Sequence, residues 1–477
     1  MGDHDPRRGA GRAVIPPPER PLPDGFAVLL DPRTRRRGGD ALLGGSPLRL
    51  LRLSARARGL LAGDRLVVRD ATTATLAARL LDAGLASPDL PPRTADDVTV
   101  VVPVKDRPAA LGRLLAALAA DPATAALPVV VVDDGSAVPV TAPGARVVRH
   151  RIARGPAAAR NAGLRAAGTP LVAFLDSDCV PVPGWLERLR PHLDDPRLAV
   201  VAPRITALPG TAGWFAAYET VVSALDMGPH PAVVRAGSAV SYVPSAALLV
   251  RREAVGDGFD EAMRVAEDVD LVWRLAAAGW RVRYEPAAAV AHAHPGTTVQ
   301  WLRRRAFYGT GAALLAARHG SAVAPLVLAP ETALAWALLL SGGRRAQGAA
   351  AVVLAVTAAR LAPRLAGPGK RPPAGFAVLL VARGMGASGR ALARSVTRHH
   401  WPLAVPAALL SRRARRCVLT AAAADAVLAW WPHRRRVGPV RFAAARRVED
   451  LAYGAGLWAG AVRARSARAL LPARPPG

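Results

Sequence analysis

The sequence predicts an α/β protein: a mostly parallel sheet flanked by helices over residues 97–320, with a small α+β module before it and a helical, apolar region after it. Three observations carry this reading. From Val98 onward, β-branched apolar runs alternate with amphipathic stretches, the pattern of strands buried on both faces and joined by crossover helices. The segment ASPDLPPRTADD, residues 86–97, concentrates Pro and Asp and reads as a linker from a differently patterned segment upstream. Beyond Gly320 the composition shifts to Ala, Leu, Val and Arg with long apolar runs.

In chain order, residues 1–24 are polar, charged and Pro-rich without an apolar core segment, which predicts a disordered tail and neither a secretory signal nor an anchor. Residues 25–90 alternate short apolar runs (FAVLL, LLRL, RLVV) with turn residues and then give the helix-like ATLAARLLDAGL, a small α+β module. The region 97–320 contains the strand candidates VTVVVPV, PVVVVDDGS, RVVRH and LVAFLDSD, with ALGRLLAALAA and AAARNAGLRAAG as intervening helices. Ligands of such sheets gather at strand C-terminal ends, and the polar residues fall there.

In residues 321–477 the chief apolar runs are Ala322–Leu340 and Gly348–Ala359. The first contains Pro325, Pro330 and Glu331, and the second is shorter than the ~20 residues of a spanning helix, so interfacial or bundle packing competes with a membrane hairpin. Arg412, Arg413, Arg415 and Arg416, and again Arg434, Arg435 and Arg436, lie beside apolar stretches and suit an anionic inner leaflet. The expected location is the cytoplasmic face of the cell membrane.

The 64 Lys+Arg against 35 Asp+Glu give a formal charge of +29, attractive to polyanions, anionic lipid or a diphosphate-bearing substrate. Nucleic acid is not expected as a partner: only 5% of residues are aromatic, and no zinc-finger, basic-zipper or ribonucleoprotein pattern is present. Two cysteines, Cys179 and Cys417, exclude a disulfide framework and a Cys-rich zinc site.

The decisive element is FLDSD, where a strand delivers Asp176 and Asp178 with one residue between them. Paired carboxylates repel unless something positive joins them, and magnesium or manganese bridging them to a nucleotide diphosphate is the economical explanation. Upstream, VVVVDDGS puts Asp133 and Asp134 at another strand end, before Gly135 and Ser136, which permit a tight turn. PVKDRP, from Pro103 to Pro108 and including Asp106, opens a helix after the first strand, where a nucleotide would be met. RGPAAARNAGL places Arg160 and Asn161 along a helix whose N-terminus suits an anionic diphosphate, although a helical Arg also serves in salt bridges.

Downstream, Glu267, Asp268 and Asp270 open an amphipathic helix, where one acid suffices for capping and another can serve as the base that deprotonates a sugar hydroxyl. AHAHPG offers His292 or His294 as an imidazole ligand to the metal. QWLRRRAFYGTG, with Trp301 and Tyr308, is either a clamp for phosphates or sugars or a basic helix face.

The order DDGS, ARNAG, LDSD, AEDVDL, HAH, QWLRRR resembles the family 2 glycosyltransferases with the glycosyltransferase-A fold over residues 97–310. That resemblance implies that Pro103, Asp106 and Asp134 line the uridine pocket, that Asp176 and Asp178 hold the donor ribose and the metal-diphosphate, and that Asp268 is the catalytic base. The run Gln300 to Arg305 departs from the Gln-x-x-Arg-Trp signature of processive synthases. The whole-chain layout is similar to that of the mycofactocin-system glycosyltransferases, and the N-terminal module to the peptide-chaperone domains of peptide-derived cofactor pathways. This implies an inverting transfer of glucose from UDP-glucose, a nucleotide-sugar donor, onto a peptide-derived redox-cofactor precursor, building a β-1,4-linked oligoglucose chain. A membrane-facing transferase acting on a polyprenyl lipid or cell-wall glycan, and a non-catalytic peptide-binding scaffold, are the competing readings.

Overall fold

The computed structural model describes residues 14–210, 213–367 and 371–475. Among these, 14–210 with 222–295 form one compact unit and 213–221 with 296–475 a second. The expected tail falls partly outside the described residues. Its remainder, residues 14–24, packs on the first unit: Leu22 is buried, and the Trp280 indole donates to the Ile15 carbonyl at 2.5 Å.

Residues 25–90 build two small antiparallel sheets. One has the order β5 (Arg65–Val67), β1 (Ala27–Leu30), β6 (Ala86–Pro88), and the other joins β2 (Arg35–Arg37), β3 (Ala41–Gly44) and β4 (Arg49–Arg52). The start of the expected linker is thus an edge strand. Helix α1 (Ala55–Leu60) precedes α2 (Ala71–Asp82), whose first turn is fixed by a reciprocal cap: the Asp70 carboxylate accepts from the Thr73 amide at 2.8 Å, and the Thr73 hydroxyl accepts from the Asp70 amide at 3.0 Å. Phe26, Val28, Leu42, Leu61, Leu80 and Leu81 close a core of their own beneath it.

The second part of this unit is a 9-stranded sheet of order β11 (Cys179–Pro181), β15 (Arg281–His292), β12 (Leu198–Ala207), β14 (Ala247–Arg251), β10 (Leu171–Leu175), β7 (Val98–Val104), β8 (Val129–Asp134), β9 (Arg146–His150), with β13 (Ala232–Val233) paired to β15. Strands β7 to β10, β12 and β15 run one way; β11, β13 and β14 run against them. The sheet is therefore mostly parallel, as predicted. Helices α3 (Pro108–Ala120), α4 (Pro156–Ala166), α5 (Trp185–Leu189), α7 (Arg252–Val255) and α8 (Glu267–Ala277) accompany it. Central strands β7 and β10 are buried almost throughout, which is why they read as unbroken apolar runs. Helix α4 lies so close to β7 that a Cβ on Gly163 would come within 2.2 Å of Val101, so only glycine fits there.

The second unit is helical: α6 (Ala216–Glu219), α9 (Thr298–His319), α10 (Pro330–Ser341), α11 (Arg344–Leu365), α12 (Ala374–Arg394), α13 (Trp401–Leu410), α14 (Arg412–Trp430) and α15 (Pro439–Arg463). Here α11 is a full 22 residues, longer than its apolar run, because the helix continues through Arg360 and Pro363. The segments Arg344–Leu365 and Ala374–His399 are long and apolar enough to cross a membrane, by length and composition alone. Trp301 and Arg305 of α9 are buried in this unit: Trp301 stacks on Phe215 with centroids 4.9 Å apart and donates to Glu219 at 2.9 Å, while Arg305 pairs with Glu219 and Glu449. Of the two readings of that arginine run, these two residues take neither, since they face the interior.

Within the first unit, two buried arginines of β15 join the N-terminal module to the nine-stranded sheet: Arg283 donates to the Ala86 carbonyl and the Ser87 hydroxyl at 3.3 Å each, and Arg281 makes the ionic contact. Arg281, opening β15, reaches Asp82 of α2 at 2.7 Å and Asp195 at 2.9 Å. Asp195 is 2% exposed, so removing its cation strands a buried carboxylate. Arg281→Met is therefore expected to destabilise this unit by about 3–5 kcal/mol, measured as a lower urea midpoint at unchanged slope. A midpoint within error of the parent protein would show that the contact contributes nothing.

Candidate functional site

The site is assembled at the C-terminal ends of β7, β8 and β10 and the start of α8. Strand β7 ends in Pro103 and Val104, and the next turn carries Asp106 with φ +53°, a left-handed conformation disfavoured outside glycine. Two hydrogen bonds hold it there: the Asp106 amide donates to the Ser136 hydroxyl at 2.9 Å, and its carboxylate accepts from the Ala137 amide at 2.8 Å. The loops after β7 and β8 are thereby tied together, with Gly135 supplying the positive φ of the second.

The adjacent acids at the end of β8 do different work. Asp133 is fully buried and accepts from the Ser136 and Val140 amides and from Arg149. Burial opposes its ionisation, yet the Ser136 hydroxyl and amide, the Val140 amide and Arg149 hold its carboxyl below the ordinary range. Asp134 faces the loop before α4, accepting from the Arg154 and Gly155 amides at 2.8 Å each and lying 2.8 Å from His150 Nδ1.

Strand β10 presents Asp176 and Asp178. One oxygen of Asp178 is held by Arg107, and the other lies 3.3 Å from His292 Nε2 on β15. Asp176, Asp178 and His292 offer ligand atoms all within 4.8 Å of one another. Two carboxylates and an imidazole form a donor set that fits magnesium or manganese. Of the two candidate histidines it is His292 that joins this trio; the ring of His294 is centred 6.3 Å from it. Behind the trio, buried Cys179 donates to the Ala246 carbonyl, and burial raises its thiol well above the ordinary value, so it is chemically quiet.

Arg160 is 3% exposed and spans the site internally, donating to Asp176 at 2.6 Å and Glu267 at 3.0 Å. Its guanidinium is thus committed to carboxylates. Asn161, next in the same motif, locks α4 to the loop before α8, donating to the Phe259 carbonyl and accepting from the Phe259 amide, each at 2.8 Å. Only tertiary contact reveals that task.

The three acids of α8 separate in the same way. Asp270 is buried and paired with Arg274 at 2.8 Å, and Glu267 is paired with Arg160. Half-buried Asp268 accepts from the Ser245 amide at 3.1 Å and from the Val269 amide at 2.8 Å. Ala266, at the helix start, has φ +61°, a second strained residue at the site. Burial and the neighbouring Asp268 push Glu267 up to about 6. Burial likewise raises Asp268, against the pull of the Ser245 amide and Arg160. A carboxylate of raised proton affinity near a trio whose donors fit a cation suits proton abstraction from an alcohol. The motif reading passed over Arg107, Glu267 as the partner of Arg160, and His150. Arg107 stood within the PVKDRP motif, but nothing in that motif says which carboxylate it meets.

A family model described as glycosyl transferase family 2 matches residues 99–258, the segment from β7 to the loop before α8. Two curated relatives, both named pre-mycofactocin glycosyltransferase, come from Mycobacterium tuberculosis strains CDC 1551 / Oshkosh and ATCC 25618 / H37Rv. Each is 48% identical over 471 residues, covering 94% of this chain and 98% of the relative. Among solved structures, mannosyltransferase PcManGT from Pyrobaculum calidifontis in complex with GDP-Man and Mn2+ matches at 19% identity and TM-score 0.37, over 76% of this chain and 90% of that one. S. aureus TarS 1-349 in complex with UDP-GlcNAc matches at 18% identity and TM-score 0.35, over 45% of this chain and 66% of that one. With 48% identity to those relatives over 94% of its length and a family 2 match over residues 99–258, the chain belongs to the pre-mycofactocin glycosyltransferase family.

Proposed function

We propose that this glycosyltransferase moves glucose from UDP-glucose onto a peptide-derived mycofactocin precursor, with inversion, building a β-1,4-linked oligoglucose chain. The convergence of Asp176, Asp178 and His292 carries the reading, in a chain 48% identical to proteins named for the pre-mycofactocin acceptor. Asp176, Asp178 and His292 would hold magnesium or manganese, which when bound neutralises charge on the departing diphosphate. Pro103 and Asp134, at the ends of β7 and β8, and Asp106, in the turn after β7, would bind the nucleotide. Arg160 acts through Asp176 and Glu267, fixing their orientation. Asp268 takes the proton from the acceptor hydroxyl, which attacks the face opposite the leaving group, so an α-linked donor yields a β-glycoside.

The test is mass spectrometry of the acceptor after incubation of purified protein with UDP-glucose, Mn2+ and the peptide-derived precursor. A ladder spaced by one hexose is expected with the parent protein and none with Asp178→Ala, which removes a ligand at a strand end with little loss of packing. Transfer by Asp178→Ala at a near-parental rate would sink the cation assignment.

Asp268 also sets a pH dependence. Its folded-state pKa lies above the ordinary carboxylate value, so activity is lost as pH falls through that raised value, together with the coupled titration of Glu267. Glu267→Gln removes a negative neighbour and leaves Arg160 to Asp176 and Asp268. The acid limb of kcat/KM is expected to move to lower pH in that variant, and Asp268→Asn to cut kcat by roughly 10²–10⁴. A limb that stays in place in Glu267→Gln would separate the two acids.

We further propose that the enzyme works on the cytoplasmic face of the cell membrane. Supporting this, α13 has no buried residue, Leu409 and Leu410 at its end are exposed, and Arg412, Arg413, Arg415 and Arg416 follow directly. The protein should sediment with membranes, and high salt should release it only partly, because screening removes the charge attraction and leaves apolar burial. Full-length protein that stays in a high-speed supernatant at low salt without detergent would defeat the membrane reading.

A further inference from the structure

We propose that Arg107 is the exchangeable counter-ion of the cation site, holding Asp178 before the cation is seated and turning to the donor diphosphate afterwards. The proposal rests on the cation reading above.

Both oxygens of Asp178 are engaged: Arg107 holds Oδ2, and His292 Nε2 lies 3.3 Å from Oδ1. The guanidinium on Oδ2 competes, by charge and by contact, with a cation for that oxygen. The site contains a second arginine for contrast. The Arg160 side chain is 4% exposed and clamped between Asp176 and Glu267, so its departure would strand a buried charge. The Arg107 side chain is 48% exposed, and its guanidinium regains water as soon as it lets go.

The backbone favours pivoting of the side chain over movement of the loop. Asp106 is fixed by Ser136 and Ala137, and Pro108 begins α3 on the other side, so the Arg107 Cα is held from both flanks. A divalent cation held by Asp178 would take over the compensation that Arg107 gives it, while Asp176, Glu267 and Asp268 keep Arg160. Arg107 would then be free to turn its planar fork to an incoming diphosphate. Arg107 is thus a positioning residue that couples cation seating to donor binding.

The test measures Mn2+ binding to the full-length protein by electron paramagnetic resonance, and UDP binding by calorimetry with and without Mn2+. Arg107→Gln should bind Mn2+ alone about tenfold more tightly, having lost its competitor, and should bind UDP about tenfold more weakly when Mn2+ is present. Arg107→Lys, which keeps the charge, should restore weak Mn2+ binding in the absence of UDP. A purely structural arginine would move neither constant. Equal Mn2+ affinity in the parent protein and Arg107→Gln overturns the proposal and leaves the cation reading standing. Failure of both proteins to bind Mn2+ even with UDP removes the cation reading, and this proposal with it.

Discussion

Repulsion among carboxylates is the constraint on which the site depends. The sheet and α8 bring Asp133, Asp134, Asp176, Asp178, Glu267, Asp268 and Asp270 to neighbouring strand ends and a helix start, where burial makes each unpaired charge costly. Each carboxylate is met by a different compensation: Arg149 for Asp133, two loop amides for Asp134, Arg160 shared by Asp176 and Glu267, Arg107 for Asp178, the Ser245 amide for Asp268 and Arg274 for Asp270. The permanently buried cations belong to the scaffold. Arg107 is half-exposed, and Asp268 accepts from backbone amides without a direct arginine pair among the described residues.

The same physics organises the helical unit. Glu219, Asp425, Glu449 and Asp450 are all buried there, and Arg305, Arg394, Arg398, Arg446 and Arg447 surround them. Such networks contribute little net stability over apolar packing but penalise any arrangement that separates the partners. Part of the chain's large basic excess is therefore consumed internally. Other arginines are exposed, among them Arg412, Arg413, Arg415 and Arg416 next to the exposed apolar α13 and Arg434, Arg435 and Arg436, so the total of +29 combines internal pairs with surface charge.

The alternation of strands and helices from Val98 was legible because a strand buried on both faces must be continuously apolar, and the strand-end acids were legible because two such runs end in paired acids, Asp133 with Asp134 and Asp176 with Asp178, where an α/β sheet gathers its ligands. The module core and the capped α2 were legible for similar local reasons. Residues 14–24 were misjudged as a free tail because their anchor, the Trp280 indole on the Ile15 carbonyl, lies 265 residues away. The run holding Trp301 and Arg305 read as either a clamp or a basic helix face because nothing local signals the Glu219 and Glu449 that these two residues meet in the interior.

By itself the sequence determined the class of sheet, the strand ends that carry carboxylates, and the set of residue types that can meet a cation and a nucleotide, because these follow from periodicity and from chemistry within a few residues. Tertiary structure alone decided which of His292 and His294 lies with Asp176 and Asp178, which acids of α8 pair with an arginine, and that Arg160 is buried between two carboxylates while Arg107 is half-exposed. Those choices turn on distances of 3–5 Å between residues far apart in the chain, where one strand register or helix placement assigns each charge its partner.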